Sequence, residues 1–224
     1  MIFKHHLFNK YLGIYHKAPF IVRLHVIMRL LSCPFFEIEQ YIPKKGIILD
    51  LGCGYGCFAH YFYLTSPERT VIGCDTAENK IAHALNTLTD NKNVKFYRGD
   101  INHLERESID CITIIDVLYL IPFEDWYSLL ERCYRLLKVG GILLLKEMDK
   151  KPSWKFNWNT FQETLAVKLF KITSGSSFYY RKPFYYKTSE ELVEDLIKVG
   201  FKIKIVRLDK GYLHPHILYV CQKS

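Results

Sequence analysis

The stretch Ile47-Ile48-Leu49-Asp50-Leu51-Gly52-Cys53-Gly54-Tyr55-Gly56 decides the fold. Its first five residues form a short, mostly apolar run, which is typical of a strand buried on both faces of a parallel sheet. Three glycines then lead into a segment with helical character. Glycine permits a tight turn and a close approach of ligand to backbone, and a helix N-terminus offers N–H groups to that ligand. The stretch therefore predicts a strand, a ligand-binding turn and a helix.

The glycine spacing narrows the class of ligand. A dinucleotide fingerprint reads Gly-x-Gly-x-x-Gly, whereas here the third glycine is Gly56 and position 57 is Cys. The spacing argues against NAD and favours another nucleotide-like ligand.

Working outward, strands alternate with helices from residue 47 to residue 149. The predicted strands are 47–51, 70–74, 94–98, 111–115 and 142–145, and the predicted helices are 57–64, 77–87 and 124–137, the last ended by Gly140-Gly141. This alternation predicts a parallel sheet covered on both faces. Further along, a capping box at Thr188–Glu191 opens a helix that runs to Val199. Residues 201–208 and 217–221 read as two final strands that can pair antiparallel.

Several of these segments together resemble one enzyme family. The resembling residues are Ile48-Leu49-Asp50-Leu51-Gly52-Cys53-Gly54-Tyr55-Gly56, Val71-Ile72-Gly73-Cys74-Asp75, Gly99-Asp100, Asp110 to Asp116, and Leu136-Leu137-Lys138-Val139-Gly140-Gly141. These segments, taken in this order along the chain, resemble those of the class I S-adenosylmethionine (SAM)-dependent methyltransferases. The resemblance implies a Rossmann-like α/β fold, a doubly wound and mostly parallel seven-stranded sheet with a C-terminal antiparallel strand.

The resemblance also implies a domain organisation. Residues 1–46, which look mostly helical, are expected to form an N-terminal helical cap. Residues 47–224 are expected to form the methyltransferase domain. Within it, residues 150–187 are rich in aromatic and basic residues and are expected to be an insertion on the acceptor side.

Cofactor-binding roles follow from the resemblance, residue by residue. Asp75 ends the second strand, where an acidic residue accepts both ribose hydroxyls, a charge-assisted bidentate arrangement. Asp100 matches the position that accepts from the adenine amino group. The other implied SAM contacts are Asp50 near the methionine part, the turn residues Gly52, Cys53, Gly54 and Tyr55, then Thr76 after the second strand, Ile101 against the adenine ring, and Asp116 near the methyl or amino group.

The chemistry leaves few marks on the catalytic centre. SAM carries an activated methyl group, so the protein mainly aligns the acceptor and excludes water. A general base is needed only when the acceptor loses a proton. The candidate catalytic residues are Asp116, Glu147, Asp149 and His214, and each has the alternative of a purely structural role. The sequence Asp116 to Tyr119 is not the (Asn/Asp)-Pro-Pro-Tyr pattern of base-amino methyltransferases, and no Pro-Cys motif suggests cytosine methylation.

The composition of the chain indicates the cellular compartment in which it is expected to act. The seven cysteines show no CxxC pair or zinc-type spacing, so we expect buried thiols, a reducing compartment and no metal site. We find no convincing secretory signal and no transmembrane segment, because the apolar stretch 18–31 is short and interrupted by charges. A cytoplasmic location is expected, with peripheral membrane contact as an open alternative.

The net charge of +8 is unevenly distributed, since residues 47–149 are acidic and both flanks are basic. Together with the apolar side of the helix predicted over Phe20 to Leu31, this favours a small hydrophobic acceptor with an anionic handle, either lipid-like or linked to an acidic carrier protein. Two alternatives stay open. Basic flanks also suit an RNA methyltransferase, although nucleic acid is not the expected partner. A SAM-binding protein without catalysis is the other.

Overall fold

A computed structural model describes residues 2–88, 92–148, 185–208, 210, 212 and 215–224, with side chains from Leu7 onward. The chain divides into two compact units, Met1–Ile101 and Asn102–Ser224. The seven strands follow the order β3-β2-β1-β4-β5-β7-β6. Strand β7 alone runs antiparallel to its neighbours, which confirms the predicted fold class.

The first unit contains three parallel strands, with helices before and between them along the chain. Its elements are α1 (Ile2–Ile14), α2 (Phe20–Ser32), α3 (Phe35–Glu39), β1 (Gly46–Leu51), α4 (Cys57–Thr65), β2 (Arg69–Asp75), α5 (Glu78–Leu85) and β3 (Val94–Arg98). Strand β2 pairs with β1 on one side and β3 on the other, all parallel. Ile48 and Leu49 of β1 are fully buried, as expected for an apolar strand in the middle of a covered sheet. The first 46 residues are mostly helical, as predicted.

A buried arginine joins the chain before β1 to the start of β2. Arg69 donates to the carbonyl oxygens of Pro43 (2.6 Å), Ile42 (3.0 Å) and Phe62 (2.8 Å). It also donates to the carboxylate of Glu39 at 2.9 Å. Because its side chain is fully buried, these bonds satisfy a charge that would otherwise be costly to remove from water.

The second unit contains the antiparallel end of the sheet. Its elements are β4 (Ile109–Ile115), a 3₁₀ turn (Leu118–Leu120), α6 (Phe123–Leu136), β5 (Leu137–Met148), α7 (Ser189–Val199), β6 (Phe201–Arg207) and β7 (His216–Lys223). The capping box is present: the Thr188 hydroxyl accepts from the Glu191 N–H, and the Glu191 carboxylate accepts from the Thr188 N–H. Helix α7 ends at Gly200, which adopts the left-handed conformation.

One boundary prediction was wrong. Gly140-Gly141 does not end helix α6, which stops at Leu136, and both glycines lie inside β5. The N–H groups of Glu107 and Ser108 bond the carbonyls of Arg135 and Leu136, so the chain turns into the sheet earlier than its periodicity suggested. The glycines accompany a register shift between β4 and β5 instead, and a Cβ on Gly141 would lie 2.8 Å from the carbonyl oxygen of Lys138.

Composition-based expectations can be compared with the described residues. All seven cysteines are buried free thiols. In the described ranges no group of His, Cys, Asp and Glu side chains is arranged to hold a metal ion. No helix within those ranges is long and apolar enough to cross a membrane.

Candidate functional site

The turn between β1 and α4 is built from glycines in the left-handed conformation. Gly52, Gly54 and Gly56 have φ angles of 76°, 55° and 79°. The N–H groups of Gly52 and Cys53 both donate to the carbonyl oxygen of Cys74, at 2.8 and 3.0 Å. The turn is therefore anchored on β2 through its own backbone. Residues with a Cβ rarely adopt these angles, which explains the glycines at these positions.

Phe96 gives a second reason for two of the glycines. A Cβ on Gly56 would lie 2.5 Å from the Phe96 ring, and one on Gly73 would lie 2.6 Å from it. The Phe96 ring, on β3, thus packs directly on the backbone of the turn and of β2. Sequence reasoning used Gly56 only for the glycine spacing and missed Phe96, because nothing in the local pattern shows which side chain fills the space beside a glycine.

Asp75 links the turn to the start of α5. Its Oδ2 accepts from the N–H of Gly54 at 2.9 Å, and its Oδ1 accepts from the N–H of Ala77 at 2.8 Å. The side chain is partly exposed at the carboxyl end of β2. A carboxylate offers about four lone-pair positions, so each oxygen retains the capacity to accept one further hydrogen bond.

Asp50 and Cys53 form the buried inner side of the turn. Asp50 is buried near the end of β1. Burial raises the pKa of the Cys53 thiol well above its usual range, and the nearby carboxylates of Asp50 and Asp75 raise it further. Cys53 is therefore a neutral packing group and not a nucleophile.

The remaining predicted cofactor residues of this unit differ in exposure. Thr76 and Asp100 are exposed, whereas Ile101 is buried. The N–H of Gly99 donates to the carbonyl of Asp75 at 3.1 Å, which holds the chain after β3 beside the end of β2. The residue just before Asp100 is therefore hydrogen-bonded to Asp75, which is the residue predicted to bind ribose.

Helices α1 and α2 reach the glycine turn through Tyr55. The Tyr15 hydroxyl donates to the Tyr55 carbonyl oxygen at 3.2 Å. The His25 ring of α2 meets the Tyr55 ring edge-on, with centroids 5.1 Å apart. Burial, with the charges of Arg29 and Lys80 as further causes, lowers the pKa of His25 to about 3. His25 is therefore neutral near pH 7, and these helix contacts were not predicted from the sequence.

In the second unit, Asp116 and Lys146 form a buried ion pair. Asp116 follows β4 with a φ of 56°, and its carboxylate accepts from the Lys146 ammonium of β5. Both side chains are buried. Sequence reasoning found Asp116 and missed Lys146. The available signal was a lysine at the end of the apolar run Ile142 to Leu145, where an unpaired charge would be costly.

Glu147 adjoins this pair. Its Oε1 accepts from the N–H groups of Leu118 (2.9 Å) and Val117 (3.2 Å), so it holds the segment that follows Asp116. Burial, with the charge of Asp116 as a second cause, raises the pKa of Glu147 to about 8. The carboxyl group is thus mostly protonated at pH 7. It also lines a small cavity together with Trp126, Met148, Tyr185, Tyr186, Lys187, Ser189, Leu192 and Tyr219.

The structure brings predicted residues together in two groups. Gly52, Cys53, Gly54 and Asp75 share contacts in the first unit, and Asp116 and Glu147 neighbour each other in the second. Asp149, His214 and residues 150–184 of the predicted insertion lie outside the described residues. The assignment of catalytic and cofactor roles, and the proposed domain boundaries, stay predictions.

Comparison with known proteins finds similarity to methyltransferases and to an enzyme named for a SAM derivative. Residues 48–141 match a family model described as a methyltransferase domain. The carboxy-S-adenosyl-L-methionine synthase of Actinobacillus succinogenes is 30% identical over 114 residues, which are 49% of this chain and 47% of the relative. The chain thus spans about half the length of the curated relatives it matches.

Solved structures show the same fold. A SAM-dependent methyltransferase from Methanosarcina mazei superposes with a TM-score of 0.60 at 21% identity, covering 84% of this chain and 96% of the other. The phosphoethanolamine N-methyltransferase 2 of Haemonchus contortus, solved in complex with SAM, gives 0.62 at 20% identity over 84% and 52%. Residues 48–141 are therefore similar to a methyltransferase domain, and the chain has the fold of SAM-dependent methyltransferases.

Proposed function

We propose that this chain binds SAM at the turn 52–56 and Asp75, and that it transfers the methyl group to a small, hydrophobic or lipid-linked acceptor. The observation that carries the binding step is the position of the Asp75 carboxylate. Two backbone N–H groups hold it, one from the glycine turn and one from the start of α5.

The Asp75 carboxylate fits the ribose of an adenosyl group. Each of its oxygens already accepts a hydrogen bond from one N–H group and can accept one more. Two remaining acceptor positions on one planar group suit two adjacent hydroxyl donors. Because those hydrogen bonds involve an ionised acceptor, they are stronger than neutral ones. Gly54 adds no side chain beside this carboxylate, so a sugar has room to approach.

SAM would supply the activated methyl group, and the protein's own residues would orient the acceptor and exclude water. The resemblance also assigns Asp116 to the cofactor, and the ion pair with Lys146 would hold its carboxylate in place. Glu147 is mostly protonated at pH 7, so it would act as a hydrogen-bond donor there and as a base only near and above pH 8.

The acceptor class rests on charge and exposed apolar surface. The basic flanks suit an anionic handle, and the exposed apolar residues of α2 suit a hydrophobic body.

A second candidate function comes from the curated relatives. Their name, carboxy-S-adenosyl-L-methionine synthase, describes a product that is itself a modified SAM. In that case SAM would be the substrate that receives a group, and methyl would not leave it. The 30% identity over the part of the chain that includes the glycine turn supports this candidate.

One assay separates these functions. The purified chain is incubated with methyl-labelled SAM and with separated lipid, metabolite and RNA fractions, and the products are resolved by mass spectrometry. Label in lipid or hydrophobic metabolites is the expected result. Label in RNA would favour the RNA methyltransferase, and a SAM derivative that has gained a carboxyl group would favour the second candidate. SAM binding without any product would overturn all three enzymatic hypotheses.

A further inference from the structure

Helix α2 carries an outward-facing apolar surface. Phe20, Leu31 and Met28 are 76%, 66% and 55% exposed, and Ile21 and Leu24 are 43% and 39% exposed. Successive members are one, three, four and three residues apart, which places all five within about 100° of the helix circumference. We call these five residues the α2 face. Exposed apolar side chains are common singly, whereas a contiguous group of this size marks an interaction site.

The opposite side of α2 accounts for its attachment to the first unit. Val22 and Val26 are buried. Arg29 lies on that side too, with its guanidinium carbon 5.6 Å from the centroid of the Phe58 ring. The helix is therefore held by one side and leaves the α2 face to solvent. Core packing does not explain the apolar character of that face.

The charges carried by α1, α2 and the residues between them are of one sign. The first 36 residues contain five Lys or Arg and no Asp or Glu. Lys10, Lys17 and Arg23 are exposed. Helical spacing sets Arg23 at the edge of the α2 face, three residues after Phe20. An apolar face bordered by basic residues is the pattern of helices that lie in the headgroup region of anionic bilayers.

We propose that the α2 face docks on the surface of an anionic membrane, with α2 lying in the plane of the interface. At 13 residues the helix is roughly 20 Å long, which is too short to cross a bilayer core of about 30 Å. The exposed apolar side chains would enter the acyl boundary, and Arg23 with the neighbouring lysines would meet lipid phosphates. The lysines favour a lipid surface over a protein partner, since protein interfaces are depleted in lysine.

The docking surface is close to the predicted cofactor turn. His25, on the same helix, contacts Tyr55 of the glycine turn. A bilayer bound at the α2 face would therefore lie one helix diameter from the turn and could present a hydrophobic acceptor to it. In this respect the inference rests on the proposed function, because the membrane is taken as the source of the acceptor. The docking itself does not depend on catalysis.

Vesicle co-sedimentation without SAM tests the docking. Vesicles of phosphatidylcholine alone are compared with vesicles that also contain phosphatidylglycerol. The wild-type chain should bind the anionic vesicles at low salt and bind more weakly as salt rises. A triple variant, Phe20→Ser, Met28→Ser and Leu31→Ser, should lose at least tenfold in affinity. Arg23→Gln should lose about fivefold, whereas Arg23→Lys should retain binding.

A control triple variant removes equally exposed apolar residues from the second unit: Val139→Ser, Ile197→Ser and Ile205→Ser. It should bind vesicles as the wild type does, and S-adenosylhomocysteine affinity should report that all variants are folded. Absence of binding at low salt, equal loss in both triple variants, or a stable dimer dissociated by the α2 triple variant would overturn the proposal. Vesicle binding by a chain that transfers no methyl group would refute the proposed function and leave the docking intact.

Discussion

The Asp75 carboxylate and the Gly54 backbone N–H are joined by a hydrogen bond of 2.9 Å. This bond connects the end of β2 to the glycine turn after β1. The two strands pair in parallel, from Gly46↔Arg69 to Leu51↔Cys74. The residue predicted to bind ribose therefore also shapes the turn predicted to contact SAM. A change at Asp75 should affect ligand binding by both routes.

Asp75→Asn should weaken binding of S-adenosylhomocysteine by about 10- to 100-fold, the cost of a lost charge-assisted hydrogen bond. The amide also places an N–H₂ group against the N–H of Gly54 or Ala77, both of which need an acceptor. Isothermal titration calorimetry measures the affinity. Glu78→Gln is the matched control, because Glu78 is an exposed carboxylate in the neighbouring α5, paired with Arg98. An unchanged affinity in Asp75→Asn would remove this residue from the site.

Gly56→Ala should destabilise the protein much more than Gly54→Ala. Both residues have a positive φ, which costs alanine roughly 1–2 kcal/mol. At Gly56 the new methyl group would also lie 2.5 Å from the Phe96 ring, whereas at Gly54 the nearest atom is the Lys80 Cδ at 3.9 Å. Urea unfolding measures the difference. If Phe96→Leu does not recover part of the Gly56→Ala loss, the ring is not the cause.

Glu147→Gln should flatten the alkaline side of the stability profile. The pKa of Glu147 is raised from 4.5 to about 8, so the folded state keeps a proton that the unfolded chain releases. The free energy of unfolding therefore falls as pH rises through this interval, by up to a few kcal/mol. Glutamine cannot ionise but still accepts from Val117 and Leu118. Chemical unfolding at pH 5 and pH 9 checks this.

The control for this measurement is Glu124→Gln, a change at an exposed glutamate in the first turn of α6. It should leave the difference between pH 5 and pH 9 as in the wild type. The same series tests catalysis. If Glu147 is the base, methyl transfer should increase up to about pH 8 in the wild type and be lost in Glu147→Gln; activity retained in that variant would exclude the role.

Arg69→Met should cost about 3–5 kcal/mol of stability, because it leaves the buried carbonyls of Pro43, Ile42 and Phe62 without their donor. Lys44→Met is the matched control. Lys44 donates to the same Glu39 oxygen at 2.7 Å, but its side chain is exposed, so its loss should cost less than about 1 kcal/mol. Thermal and urea unfolding of the two variants measure both values, and similar losses would contradict the buried role of Arg69.

The sequence by itself determined the order of strands, glycine turn and helices, since apolar periodicity and glycine spacing are local properties. It also placed Asp75 and Asp116 at strand ends and identified the capping box of Thr188 and Glu191. Only the tertiary structure decided what meets these residues. It set Phe96 against Gly56, because β3 returns to β2 through a helix.

The same distinction applies to charge and exposure. Lys146 lies 30 residues after Asp116, and only the parallel pairing of β4 and β5 makes them partners. In α2 the sequence indicated an apolar side, yet the structure decided that this side faces solvent and that Val22 and Val26 face the core. Periodicity specifies which side chains share a face of an element. What covers that face depends on contacts distant in sequence, which form only when the chain folds.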